Sequence, residues 1–205
     1  MPDKMINKRG NQLLMSPVKQ YAVSQGLPVL QPESLKDAFF QEALRALRAD
    51  LQIVVAFRML PETVWNMPRL GTFNLHASLL PQYRGAAPIN WAIINGDRET
   101  GVTTFFLKHE IDTGDVIYRD VVAINEEDNA GTLHDKLMLQ GGETVLRTVQ
   151  AIVSGDVKAI AQDTMFATEQ ELRPAPKIFK ETCAIDFSRT AEQIRNHVRG
   201  LCPYP

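Results

Sequence analysis

The chain has 205 residues, 44% of them hydrophobic and 22% charged, and its 22 Lys and Arg against 24 Asp and Glu give a formal net charge of −2. That is the make-up of an ordinary globular protein, and its mild acidity excludes nucleic-acid binding by bulk charge while leaving room for a local basic patch. The longest apolar run (51–57, broken at Gln52) is far short of a membrane span, the opening MPDKMINKRG has no signal-peptide core, and two cysteines cannot build a disulfide framework or a four-cysteine zinc site, so a reducing, cytoplasmic setting with no membrane partner is expected.

In chain order, a basic opening (Lys4, Lys8, Arg9, Gly10) lacks strand or helix periodicity and reads as structureless up to Ser16-Pro17, where a helix starts. Pro28-Val29-Leu30 reads as a short strand. Ser34, with Asp37 three residues later, opens an amphipathic helix that runs to Arg48. The run LQIVVAF predicts a strand of a parallel sheet, covered on both faces. Residues 71–76 form a second strand, followed by the loop SLLPQYRG and a helix over 89–94. Residues 102–107 and 116–124, rich in β-branched and aromatic side chains, are strands separated by the turn DTGD. A long helix starts at Thr132 and ends near Val153, with Gly141-Gly142 marking an irregularity. Residues 164–179 read as a linker by their prolines, and a last helix covers 190–199. Phe39, Phe40, Phe105 and Phe106 are expected in the core. Helices alternating with strands in the first half predict an α/β fold with parallel pairs.

The stretch Asn74-Leu75-His76-Ala77-Ser78-Leu79-Leu80-Pro81 carries the chemistry. On a strand, positions 74 and 76 share a face, so an amide and an imidazole leave the strand end side by side, where ligands bind in open α/β sheets. An amide donates to a developing oxyanion, and an imidazole moves protons near neutral pH. Taken alone, the pair is equally compatible with a hydrogen-bonded structural histidine and a loop cap. The cluster Asp112-Thr113-Gly114-Asp115 is explained by a tight turn, but an aspartate placed near His76 would also orient its ring. His109, His134 and His197 have no metal-ligand spacing, and no metal is expected.

FNLHASLLPQYRGAAPINW, followed by ETGVTTFFLKHEIDTGDVI, resembles the catalytic core of the folate-dependent formyltransferases: an Asn-x-His pair, an SLLP segment and, about thirty-five residues on, an Asp-x-Gly turn. NKRG with LLMSPVKQYA, YRGAAPIN and APKIFKE resemble the branch whose acceptor is a charged tRNA. The resemblance covers nearly the whole chain. It implies a Rossmann-like, mostly parallel sheet without the family's first strand-helix-strand, in a sequence shortened at both ends. Residues 1–163 then form the catalytic domain, 164–179 a linker and 180–205 the beginning of a C-terminal domain.

The implied reaction transfers a formyl group from 10-formyltetrahydrofolate to the methionyl amino group of initiator tRNA, supporting translation initiation, in a protein that is monomeric at full length. By resemblance Asn74, His76 and Asp112 are catalytic. Ser78, Leu79, Leu80, Pro81, Phe57 and Leu60 wall the folate pocket, and Lys4, Lys8 and Arg9 contact the nucleic acid. A formyltransferase acting on a small amine (glycinamide ribonucleotide or an amino-sugar nucleotide) and an inactive folate- or RNA-binding fragment are the alternatives.

Overall fold

The computed structural model describes residues 4–6, 12–55, 59–165 and 172–203. The opening segment is not structureless: β1 (Lys4–Ile6) and β2 (Gln12–Leu14) pair antiparallel, Lys4 opposite Leu14. Strands of three residues are too short to show an alternation in the sequence. The helix α1 (Pro17–Ser24) follows, with Ser16 as N-cap and Pro17 in its first turn, as the sequence predicts. Residues 28–30 are irregular rather than a strand, with Val29 and Leu30 exposed and unpaired with any sheet. The next helix, α2 (Ala38–Ala46), starts one turn later than expected because Asp37, not Ser34, accepts the amide of Phe40 at 2.8 Å.

Strand β3 (Gln52–Val55) falls within the apolar run, and the short helix α3 (Glu62–Trp65) leads over to β4 (Thr72–His76). After α4 (Pro88–Ile94) come the long strands β5 (Glu99–Phe106) and β6 (Val116–Ala123), then α5 (Ala130–Ser154) and, near the end, α6 (Ala191–Gly200). The sheet order is β3-β4-β5-β6. The expected mostly parallel sheet is parallel only at β3–β4 within the described residues, and both other pairs are antiparallel. The nine-residue connection between β5 and β6 is too short for a crossover helix and closes a hairpin instead.

β3 is the outer strand of this order. Its Val54 is buried while Ile53 and Val55 are exposed, so it is covered on one face only. Phe39, expected in the core, is 88% exposed, whereas Phe105 is fully buried. The core lies between the sheet and α5. Phe73 packs with Ile117 and Ile152, and Leu75 joins a cluster containing Ile93, Val102, Leu133 and Leu137. α5 is unbroken across Gly141-Gly142. Gly141 presses on Leu75, and a Cβ there would come within 2.7 Å of Leu75 Cδ2, so the glycine brings the helix close to the sheet. α6 packs on α4, Asn90 Nδ2 donating to Gly200 O at 2.7 Å, and Arg199 donates to the carbonyls of Asn125, Glu126 and Asp128.

Because Phe73 and Leu75 face α5, the alternating positions Thr72, Asn74 and His76 face the opposite side of the sheet. All three are buried there.

Candidate active site

The structure brings the predicted pair and the predicted aspartate together. His76 Nδ1 lies 3.8 Å from Asp112 Oδ2, both side chains 6–7% exposed. His76 Nε2 lies 2.9 Å from the carbonyl oxygen of Tyr83. A carbonyl only accepts, so Nε2 carries hydrogen and Nδ1 is the nitrogen that faces Asp112. Asp112 Oδ2 also accepts the backbone amide of Gly85 at 3.0 Å. Asn74, one strand step from His76, is 3% exposed, and its Oδ1 is buried with no hydrogen-bond partner. A buried acceptor left unpaired costs about 1–3 kcal/mol, so this oxygen is available to a donor brought by a ligand.

Two loops hold this arrangement, and each contains a residue with left-handed backbone. Tyr83 (φ 60°) offers its carbonyl to His76, and Asp112 (φ 56°) offers its carboxylate. For residues with a Cβ this conformation costs about 1–2 kcal/mol, so surrounding bonds must fix it. For Tyr83 they come from the segment 173–175: Tyr83 N donates to Arg173 O at 2.7 Å, and Ala175 bridges Arg84 and Ala86. Gly85 (φ 127°) lies so close to Ala175 that any Cβ would overlap the Ala175 carbonyl oxygen. The Tyr83 phenol is bonded to Asp97 at 2.5 Å, with Arg173 bridging both. Burial first, and then the Asp97 carboxylate, push this phenol above its ordinary value of 10.0, so it remains a donor.

The second loop returns between β5 and β6. Gly114 passes against Phe106, whose carbonyl oxygen a Cβ would overlap. From the other side the buried Gln162 donates to the carbonyls of Asp112 and Gly114, 2.8 Å each.

The SLLP residues, expected along the folate pocket, form a largely buried turn. Ser78 and Leu80 are fully buried, Pro81 is buried and Leu79 is half-buried. Ser78 Oγ donates to Gln82 O, and Thr103 Oγ1 donates to Ser78 O while accepting from Leu80 N, so these residues shape the turn that carries Tyr83. Leu60 is half-buried, and Phe57 lies outside the described residues, as do Lys8 and Arg9; Lys4 is in β1. An open cleft of about 590 Å³ lies beyond the Asp112 turn, its walls including Trp65, Leu107, Arg84, Lys108, His109 and Gln162. Sequence reasoning missed Gln162, Thr103 and the part played by Tyr83 and Gly85. The quoted YRG string holds two of them, but Gln162 and Thr103 sit in strings with no distinguishing pattern.

Among the described residues no group of three or more His, Cys, Asp or Glu side chains is placed to hold a metal ion, and no helix is long and apolar enough to cross a membrane. Residues 2–149 match the formyl transferase family model, and residues 177–205 match that of the formyl transferase C-terminal domain. The chain belongs to the formyl transferase family. Among curated formyl transferases, the methionyl-tRNA formyltransferases of Bacteroides thetaiotaomicron and Phocaeicola vulgatus are 66% and 67% identical to it over all 205 residues. The chain spans 63% of the length of each. In three dimensions it is similar to the N-formyltransferase of Helicobacter canadensis, solved with folinic acid and dTDP-3-aminofucose: TM-score 0.70, 22% identity, 98% of this chain and 68% of that one.

Proposed function

We propose that the protein transfers a formyl group from 10-formyltetrahydrofolate to the methionyl amino group of initiator tRNA, a cytoplasmic step that readies the tRNA for translation initiation. The observation that carries the chemistry is the buried approach of His76 Nδ1 to Asp112 Oδ2 at 3.8 Å, beside an Asn74 amide with an unpaired oxygen. The choice of acceptor is supported by the similarity of all 205 residues of this chain to part of the curated methionyl-tRNA formyltransferases.

The donor supplies a formyl group already activated on an aryl-amine nitrogen. The donor is proposed to enter by the adjoining cleft, where Trp65 and Leu107 offer apolar wall and Arg84, Lys108, Glu110 and Asp163 bring charges of both signs. Asn74 Nδ2 donates to the formyl oxygen as negative charge gathers there, worth about 3 kcal/mol by comparison with other oxyanion donors. Its Oδ1 accepts an N–H of the attacking amine, which removes the orphan. Asp112 Oδ2, already aimed by the Gly85 amide, takes the proton the amine must lose once its nitrogen bonds to the formyl carbon. His76 Nδ1, facing that carboxylate, passes a proton to the departing nitrogen as the old carbon–nitrogen bond breaks. Its Nε2 bond to Tyr83 O holds the ring in plane throughout. Asp112 then returns the proton it took to His76 Nδ1, which it faces, so no net proton enters or leaves.

Lys8 and Arg9, which fall between β1 and β2 in the sequence, are proposed with Lys4 as phosphate contacts to the tRNA. The reading is tested in the full-length protein by comparing formylation rates of charged initiator tRNA, glycinamide ribonucleotide and an amino-sugar nucleotide. The tRNA is expected to react at least a hundredfold faster by kcat/KM. A small amine reacting faster overturns the choice of acceptor, and folate binding without any formyl transfer overturns the enzymatic reading.

A further inference from the structure

Gln162 lies in the stretch between the two family-model matches, 2–149 and 177–205, and outside every motif quoted from the sequence. It is 2% exposed in a 3-10 turn (Gln162–Met165), and the segment is tied to the start of β6 by two backbone bonds of 2.8 Å between Ile160 and Val116. Its amide uses its full bonding capacity. Both Nε2 hydrogens go to carbonyls of the Asp112 turn, and Oε1 accepts Arg84 Nε at 3.1 Å and Nη2 at 2.6 Å.

We infer that Gln162 is a positioning residue for Asp112, one that fixes the left-handed turn so that the carboxylate faces His76. The two carbonyls it binds, those of residues 112 and 114, bracket Thr113, so together they set the orientation of the turn's peptide planes and of the Asp112 side chain. With φ at 56°, Asp112 does not hold this conformation by its own preference. The Gly85 amide binds the carboxylate itself, the packing of Gly114 on Phe106 and the Phe106–Asp115 backbone bond hold the far side of the turn, and Gln162 binds the carbonyl of Asp112 directly. No other side chain fits both tasks: Glu lacks the two donors, Asn is one methylene shorter, and Met fills the volume without polar groups. The other end of the amide lays the Arg84 guanidinium along the cleft wall. One side chain therefore couples the proton-accepting turn to the cleft.

This inference rests on the reading that Asp112 serves formyl transfer, and the test separates the two. In the full-length protein, kcat and the donor KM are measured for Gln162→Glu, Gln162→Met, Asp112→Asn and each Gln162 change combined with Asp112→Asn, with thermal melts to identify folded variants. Gln162→Glu keeps the acceptor for Arg84 and loses both donors, so kcat falls 10- to 100-fold with donor KM within about threefold of wild type. Gln162→Met loses both ends, so kcat falls and donor KM rises. Combined with Asp112→Asn, either change lowers kcat by less than about threefold further, because the group it positions is already disabled. An unchanged kcat in folded Gln162→Glu, or a full multiplicative loss in the double variants, overturns the positioning role. So does failure of both single variants to fold, which would make Gln162 a stability residue. An Asp112→Asn protein with wild-type kcat overturns the underlying reading instead.

Discussion

Asn74 is the residue where stability and activity part most clearly. Its Oδ1 is buried and unpaired, so the folded protein carries an amide that the free fold does not need. Asn74→Ala is therefore expected to leave the thermal midpoint unchanged or higher, while kcat for formyl transfer falls about 10²- to 10³-fold, the loss typical of a missing oxyanion donor. Thermal melts and steady-state kinetics on the same preparation check both halves. A midpoint several degrees lower would make Asn74 a packing residue. The side-by-side exit of Asn74 and His76 was readable because strand geometry has a period of two, and their neighbours Phe73 and Leu75 are plainly apolar. The nearness of Asp112 was not readable from local pattern. It depends on how the β5–β6 loop folds back, which the buried Gln162 amide and the close approach of Gly114 to Phe106 decide across long sequence separations. The motif resemblance pointed to Asp112; physics of the local string pointed only to a turn.

At the scale of elements, the segment 83–86 holds the site in register, because it supplies the Tyr83 carbonyl to His76 and the Gly85 amide to Asp112. Gly85→Ala forces a Cβ into the Ala175 carbonyl at a φ of 127°, and a loss of about 2–4 kcal/mol in stability with a large fall in kcat is expected. Denaturant titration and kinetics measure the two losses, and an alanine variant with normal stability would show that the 173–175 segment does not brace this loop. The start of α5 gives a pH-dependent test. Burial alone would raise the Asp128 carboxyl, but Lys136 at 2.5 Å, the Asn125 amide and the Thr132 hydroxyl together hold it below its ordinary 3.8. A lowered folded value means that ionised Asp128 stabilises the fold above pH 3.8, and that this is lost as pH falls from there through the folded value. Asp128→Asn is expected to cost about 2 kcal/mol at pH 7, with wild type and variant converging toward pH 2 in urea titrations. A constant difference across that range would contradict the assignment. Helix starts at Ser16 and Thr190 were legible from their capping residues, whereas α2 and α5 begin at Asp37 and Asn129, where a second candidate cap lay within three residues. The strand expected at 28–30 failed because three apolar residues with no sheet partner have nothing to pair with.

For the molecule as a whole, the α/β class and the order of the strands and longer helices from β3 onward followed from alternating patterns, but the one-turn α3 and the balance of parallel and antiparallel pairs did not. Both the β3–β4 and the β4–β5 links carry a helix, α3 and α4, yet only the first pair is parallel, so a helix in the connection does not by itself set the direction. If the β1–β2 loop meets tRNA, neutralising Lys4, Lys8 and Arg9 together should weaken tRNA binding and flatten its salt dependence by up to about three phosphate contacts, with folate affinity unchanged. An unchanged salt slope would remove that loop from the interface. We propose that Asn74, His76 and Asp112 act as one unit in formyl transfer to methionyl-tRNA. Single-turnover formylation by the full-length protein, its Asn74→Ala and Asp112→Asn forms and their double variant tests it most directly. The account predicts that each single change lowers the rate at least a hundredfold and that the double variant is within about tenfold of the slower single. Losses that multiply, or singles near the wild-type rate, would contradict it.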